Sequence, residues 1–321
     1  SATGSYTVSN GHNATKLSVT AISINGSITD IAGKNLLVTL PASNLDANHS
    51  ISVDTSNSSI TSILSLTENG TYTIGKEIMI QVNFEESINL IGTLKLDLSS
   101  GGSVSIPSFQ GTTASGSYVV ATGENTNSLT VTAISITGTA KDNSNNDLIA
   151  TIPVNNIAAQ SKIAIDTLAP QVLSISSTSS DGTYRKADSV TLLLTLSESI
   201  AITGSLDLKL NSGGTVALTS FSGTSQLFVY TVAANENTSE LSLSSIVING
   251  SAADAAGNSL SLVVPSTNIN TVSKIIIDST SKFAKPNKNE SARFLTQATF
   301  GPNLTAINDL TTKTYENWLA E

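Results

Sequence analysis

Glu77-Ile78-Met79-Ile80-Gln81-Val82-Asn83-Phe84 carries an apolar residue at every second position, and Ser189-Val190-Thr191-Leu192-Leu193-Leu194-Thr195-Leu196 does so again 112 residues later. Side chains alternate across a strand, so this period of two predicts a strand with one face buried. The match extends outward in both directions. Leu94, Leu96 and Leu98 correspond to Leu206, Leu208 and Leu210, Phe109 to Phe221, and Ser100-Gly101-Gly102 to Ser212-Gly213-Gly214. A later stretch occurs three times at the same period: Tyr6, Tyr118 and Tyr230; Leu17, Leu129 and Leu241; Ile24, Ile136 and Ile248; Pro41, Pro153 and Pro265; Asp54, Asp166 and Asp278. The sequence therefore divides into the C-terminal half of a repeat (1–56), two whole repeats (57–168 and 169–280) and a segment of a different kind (281–321).

Alternation also runs through Leu94 to Leu98, Leu129 to Ile136 and Ile163 to Ile165. Turn signals fall between these runs at Asn69-Gly70, Asp181-Gly182, Ser100-Gly101-Gly102 and Ser222-Gly223. About seven short strands in some 110 residues predict an immunoglobulin-like sandwich, two sheets enclosing one core. No helical period is found before residue 285, so no helix is expected within either whole repeat. Ile78, Val82, Leu96, Phe109, Leu129, Ile134 and their equivalents 112 positions on are the expected core. The fold class is all-β: tandem sandwiches followed by a short α-helical segment.

Composition narrows the function. Of 321 residues, 39% are hydrophobic but only 12% are charged, and the net charge is -9, an unfavourable balance for nucleic acid. No run of 18 apolar residues exists, which excludes an ordinary membrane-spanning helix. The absence of cysteine removes disulfides, thiolate metal sites and cysteine nucleophiles. The only histidines, His12 and His49, lie in the half-repeat, and His12 stands where the whole repeats have Glu124 and Glu236. No serine occupies a G-x-S-x-G elbow. The Gly-Gly pairs read as hairpin turns, because no lysine and no helix follow them as phosphate binding requires. Glu85 and Glu86 are adjacent in a strand and point to opposite faces. No catalytic residue is assigned. Asn-x-Ser/Thr sequons at Asn13, Asn25, Asn69, Asn237 and Asn249 are expected by chance in so Ser/Thr-rich a chain.

Thr183-Tyr184, Leu196-Ser197-Glu198, Glu236-Asn237-Thr238, Asp254-Ala255-Ala256-Gly257-Asn258, Ile277-Asp278 and Asp166-Thr167-Leu168-Ala169-Pro170 keep a fixed order and spacing. In this, residues 1–280 resemble the bacterial Ig-like repeats of large secreted adhesins. The resemblance implies an extracellular or cell-surface location and a stalk or adhesive role toward a cell-surface glycan or protein, often with calcium as a stiffener. Two other roles stay open: the accessory region of an extracellular enzyme, and a filament subunit whose half-repeat is completed by another chain.

Calcium takes six to eight oxygen ligands, several of them carboxylates, and loops at one pole of a sandwich supply such groups. Counting strand reversals brings Glu198 and the Asp254–Asn258 turn to the pole that Asp166 enters. Asp166, Glu198 and Asp254 are thus expected to surround one ion at an inter-domain junction, with Asp54, Glu86 and Asp142 doing so one repeat earlier. A plainer reading exists for the turn, since Asp and Asn there bond their own backbone. Gly33, Asn145 and Gly257 share the turn position that calls for a left-handed residue.

In the last segment, Ala292, Leu295 and Ala298 share one face of a predicted helix, with Asn289 as its N-cap and Gly301-Pro302 as its stop. Shorter helices are expected at Leu304–Leu310 and Tyr315–Leu319. This stretch resembles the opening of the family known as domain of unknown function 1800, which implies no particular activity. Phe294, Phe300 and Trp318 are expected to find little core there.

Overall fold

The computed structural model describes residues 3–221, 223–279, 285–299 and 301–321. The expected turn residue Ser222, the expected boundary at 280/281 and Phe300 lie outside the described residues. The chain is mostly β and divides into two compact units, Ser1–Thr167 and Leu168–Glu321.

In the first unit the strands are β1 (Ile60–Ser65), β2 (Gly70–Tyr72), β3 (Glu77–Leu98), β4 (Ser103–Val119), β5 (Val131–Asp142) and β6 (Ile163–Ile165). The long β3 serves two neighbourhoods. Its first half pairs with β1, from Ile60↔Phe84 to Ser65↔Ile80, and with the end of β4, from Glu77↔Val119 to Asn83↔Thr113. Register shifts at Asn83/Ile88 and Leu90/Thr93 bend it, and its second half pairs with the start of β4 and with β5. β2 and β6 form a separate parallel pair. The Gly101-Gly102 hairpin closes as the sequence predicts, with the Leu98 N–H bonded to the Gly102 carbonyl at 2.9 Å.

The second unit carries β7 (Val172–Ser177), β8 (Gly182–Arg185), β9 (Ser189–Leu196), β10 (Ala201–Leu210), β11 (Thr215–Leu218), β12 (Ser225–Thr231), β13 (Asn237–Thr238), β14 (Leu243–Ala253) and β15 (Ile275–Asp278). What is continuous in β3 and β4 is here divided. The sheets read β12-β9-β7, β11-β10-β14 and β13-β15-β8.

Each unit has its own apolar core, and the buried positions correspond at the 112-residue period. Ile63, Ile78, Ile80, Val82, Leu94, Leu96, Leu129 and Ile163 are buried, as are Ile175, Val190, Leu192, Leu194, Leu206, Leu208, Leu241 and Ile275. Three expected core members depart from this: Phe109, Phe221 and Ile134 are only half-buried. Phe109 stacks on Phe84 at 5.4 Å and packs against the core without being enclosed by it.

The expectation of helix-free repeats is also corrected. One-turn helices occur at α1 (Leu45–Asn48), α2 (Ile157–Gln160) and α3 (Ile269–Val272), again 112 residues apart. Four residues are too few to display a period of 3.6, so the apolar pattern is silent here. The local cause is the cap: Asn44, Asn156 and Asn268 each accept the N–H of the following residue through the side chain. The amide groups of Asn156 and Asn268 also reach the Val131 and Leu243 backbones, at 2.9 Å in both units.

Residues 3–56 contain α1 and the isolated bridges Ala14↔Val53 and Thr29↔Asn35, but no named strand. Tyr6, Val19, Ile22 and Ile51 are exposed, while Val53 is buried. At the other end lie α4 (Lys288–Ala298), α5 (Leu304–Leu310) and α6 (Tyr315–Leu319). The α4 cap is Asn287 rather than Asn289. Asn287 accepts the Asn289 and Glu290 N–H groups, and Glu290 reaches back to the Asn287 N–H at 2.9 Å, a reciprocal box that requires a three-residue spacing. Leu295 is buried, Ala292 half-buried and Ala298 exposed. Phe294 does find neighbours, with Tyr315 at 4.6 Å and Trp318 at 5.6 Å between ring centres.

Candidate metal centre

Asp142 ends β5 and begins a tight turn. Its Oδ1 accepts the backbone N–H of Ser144 at 2.8 Å and of Asn146 at 2.9 Å. The turn needs a left-handed residue, and Asn145 supplies it with φ of 72°. Asn146 then acts as a tie. Its Nδ2 donates to Asp142 Oδ2 at 2.9 Å and to the Asp54 carbonyl at 3.3 Å. The turn chemistry repeats at Asp254, whose Oδ1 accepts from Gly257 and Asn258, and at Asp30, whose Oδ1 accepts from Ala32 and Lys34. Gly33 and Gly257 have φ of 78° and 93°, as the sequence requires of them.

Glu86 lies in the register shift of β3, two residues before Ile88, which pairs with Asp142. Its neighbour Glu85 is exposed and accepts the Ser59 hydroxyl at 2.9 Å, so the two adjacent carboxylates part company as expected. Asp54 Oδ1 accepts the Ser56 N–H at 2.9 Å. The structure brings Asp54, Glu86 and Asp142 together, each offering a carboxylate oxygen within 4.8 Å of the others. Asp142 is buried and its companions are half-buried.

Three anions this close oppose one another. The Glu86 carboxyl is held above its usual 4.5, first by desolvation and then by the charges of Asp54, Asp142 and Glu85. The Asx turn accounts for Asp142 without any metal, but it does not account for Glu86 and Asp54 facing it. The donor set is all oxygen, which suits a hard cation. Two oxygens on one calcium ion, at about 2.3–2.6 Å each, are separated by no more than about 5 Å, so the spacing fits.

Of the equivalent set, Glu198 and Asp254 lie in the second unit and offer carboxylate oxygens within 4.8 Å of each other. Asp166 lies near the end of the first unit, where its N–H donates to the Tyr72 carbonyl at 3.0 Å. His12 and His49 take no part in either set: His12 Nδ1 is bonded to the Tyr6 hydroxyl at 2.7 Å, and the His49 N–H closes α1 on the Leu45 carbonyl.

A second polar constellation escaped the sequence reading. The Tyr118 hydroxyl donates to Glu124 Oε2 at 2.6 Å and bonds the buried Ser100 hydroxyl at 2.9 Å, while the Ala121 N–H donates to the same Glu124 oxygen at 2.7 Å. Tyr230, Ser212, Glu236 and Ala233 repeat it with hydroxyl distances of 2.6 and 2.9 Å. The signal was available as a Tyr and a Glu six positions apart in both whole repeats.

Among the described residues, no helix is long and apolar enough to cross a membrane. In comparison with known proteins, the chain matches no protein-family model and no curated sequence.

Proposed function

We propose that the chain is a non-catalytic stalk or adhesive region of a secreted bacterial surface protein, built from tandem Ig-like sandwiches that calcium stiffens. The observation that carries this reading is the convergence of Asp54, Glu86 and Asp142, three acidic side chains from distant positions, beside a core that recurs at a fixed period. The sequence repeat extends the ligand set to Asp166, Glu198 and Asp254. A module of this kind spaces or presents other domains toward a cell-surface glycan or protein, and the last segment resembles the 1800 family. An accessory role beside an extracellular enzyme uses the same physics, and a longer gene product distinguishes it.

Thermal unfolding with calcium and with a chelator tests the ion. At free calcium about 100 times the dissociation constant, mass action contributes about 2.7 kcal/mol. The pH dependence has a definite sign. Glu86 has a raised folded-state pKa, so without metal the folded protein holds more protons and loses stability as pH rises above the usual 4.5. Bound calcium removes that loss. Glu86→Gln is expected to raise the melting of the first unit slightly in chelator and to lose most of that unit's calcium increment, leaving the increment due to Asp166, Glu198 and Asp254 in place. Equal calcium shifts in the wild type and the variant defeat the assignment.

A second reading, self-assembly, draws on the exposed apolar side chains of Tyr6, Val19, Ile22 and Ile51. Burying each from water is worth about 25 cal/mol per Å² of apolar surface, an incentive for a second copy to cover them. Sedimentation over a wide concentration range is expected to show association that Ile22→Asp weakens. A strictly monomeric wild-type chain eliminates this reading.

A further inference from the structure

Ile-Asn-Gly-Ser occurs twice, at Ile24–Ser27 and Ile248–Ser251, two repeat lengths apart. The tetrapeptides are chemically identical, yet their backbones are held differently. Asn249 and Gly250 lie in the β10–β14 ladder opposite Ser205 and Gly204, and the Asn249 amide nitrogen donates to Asp207 Oδ2 at 2.9 Å and Ser205 Oγ at 3.3 Å. Asn25 and Gly26 are exposed and form part of a bend outside any strand. Among the described residues, neither Asn25 nor the Gly26 N–H has a hydrogen-bond partner. Two further Asn-Gly pairs have occupied nitrogens: the Gly11 N–H donates to Thr55 Oγ1 at 3.0 Å, and the Gly70 N–H to the Lys162 carbonyl at 3.0 Å.

We propose that Asn25 is a site of spontaneous hydrolytic deamidation, selected from four Asn-Gly pairs because it lies outside any strand ladder and its glycine N–H has no hydrogen-bond partner among the described residues. Glycine has no Cβ to shield its nitrogen. The Gly26 backbone nitrogen attacks the Asn25 side-chain carbonyl carbon, a new C–N bond closes a succinimide, and the bond to the side-chain nitrogen breaks. Ammonia leaves, taking up the proton that the Gly26 nitrogen gives to solvent. Water then opens the ring at either carbonyl and leaves an aspartyl or isoaspartyl residue at position 25. No oxidant or reductant enters, and the chain gains one negative charge. At Asn249 the same attack first requires the ladder to open locally, and the closed fraction is unreactive.

Each of the four pairs falls in its own tryptic peptide, because Lys16, Lys34, Lys76, Lys209 and Lys274 separate them. The intact folded chain, aged in mildly alkaline buffer, is digested and the peptides are scored by mass and by an isoaspartate-specific methyltransferase. Conversion at position 25 is expected to outpace that at position 249 by more than about tenfold, since local opening limits the latter. In denaturant the two identical tetrapeptides are expected to convert at equal rates, which assigns the difference to the fold. Equal rates in the folded chain, or faster conversion at position 10, 69 or 249 than at 25, overturn the proposal.

Discussion

Gly92→Ala is expected to unfold the β3 half of the first unit, at a cost of about 4 kcal/mol or more. Gly92 lies directly opposite Gly138 in the β3–β5 ladder, and both have positive φ, 128° and 102°. A Cβ on Gly92 would stand 1.9 Å from the Thr137 carbonyl oxygen, and one on Gly138 would stand 2.1 Å from the Ile91 oxygen. The obstruction is backbone, so no side chain can swing away. Two penalties combine: the left-handed conformation, about 1–2 kcal/mol for a residue with a Cβ, and separation of β5 from β3, the strand that carries Leu90, Leu94 and Leu96 into the core. Gly204 and Gly250 repeat the arrangement, with the nearest oxygens at 2.0 and 2.1 Å. Gly101→Ala is the control, because its φ of 97° is left-handed but nothing lies within 4 Å of the added carbon. It should cost only the conformational part. For a domain near 100 residues, 4 kcal/mol lowers the melting temperature by about 20 °C. Hydrogen exchange across residues 60–142 locates the loss, and a Gly92→Ala protein as stable as Gly101→Ala contradicts the steric account.

The paired glycines show where reading the sequence reaches its limit. Alternation at Ile78 to Phe84 and Leu94 to Leu98 reveals strands because a half-buried strand has two chemically different faces. Gly92 belongs to neither face, and in a sequence a lone glycine looks like a turn. Its partner Gly138 is 46 positions away, so only the register makes a pair of them. The acidic cluster was more legible. Strand reversals locate chain ends at one pole or the other, and three acidic residues assigned to a pole by counting do converge at Asp54, Glu86 and Asp142. The turn at Asp142 was legible for a separate reason: Gly33, Asn145 and Gly257 share a position, and a left-handed residue is what these types have in common. Elsewhere the features are too short to leave a pattern. The one-turn helices after Asn44, Asn156 and Asn268 have no period to detect, and the α4 cap moved two residues because Asn287 has a glutamate three positions on while Asn289 has none. Phe109 and Ile134 alternate correctly but are only half-buried against the core, and alternation gives the face without the depth.

Tyr118→Phe is expected to destabilise the first unit by about 2 kcal/mol, because a hydroxyl that serves two partners is removed and both are left behind. Tyr118 and Ser100 are buried, and the acceptor is a carboxylate oxygen of Glu124, which places the loss toward the upper end for a single hydrogen bond. Gly102 is part of the device, since a Cβ there would meet the Tyr118 ring at 2.4 Å. Burial, and then the hydrogen bond to Glu124, raise the phenol well above its usual 10.0. The folded state therefore keeps a proton that the unfolded chain releases, and this part of the stability falls away as pH rises beyond about 10. Tyr118→Phe should abolish that alkaline decline in the first unit while Tyr230, with its own Ser212 and Glu236, preserves it in the second. Glu124→Gln tests the charge, and a double-mutant cycle with Tyr118→Phe should return a coupling of about 1–2 kcal/mol. The half-repeat supplies the contrast within the same chain. Tyr6 is 54% exposed and bonds His12 where the other repeats have glutamate. Tyr6→Phe should change stability by no more than about 0.5 kcal/mol, as surface substitutions do. If Tyr6→Phe and Tyr118→Phe cost the same, the buried hydroxyl is not what holds this corner, and packing of the ring alone must be.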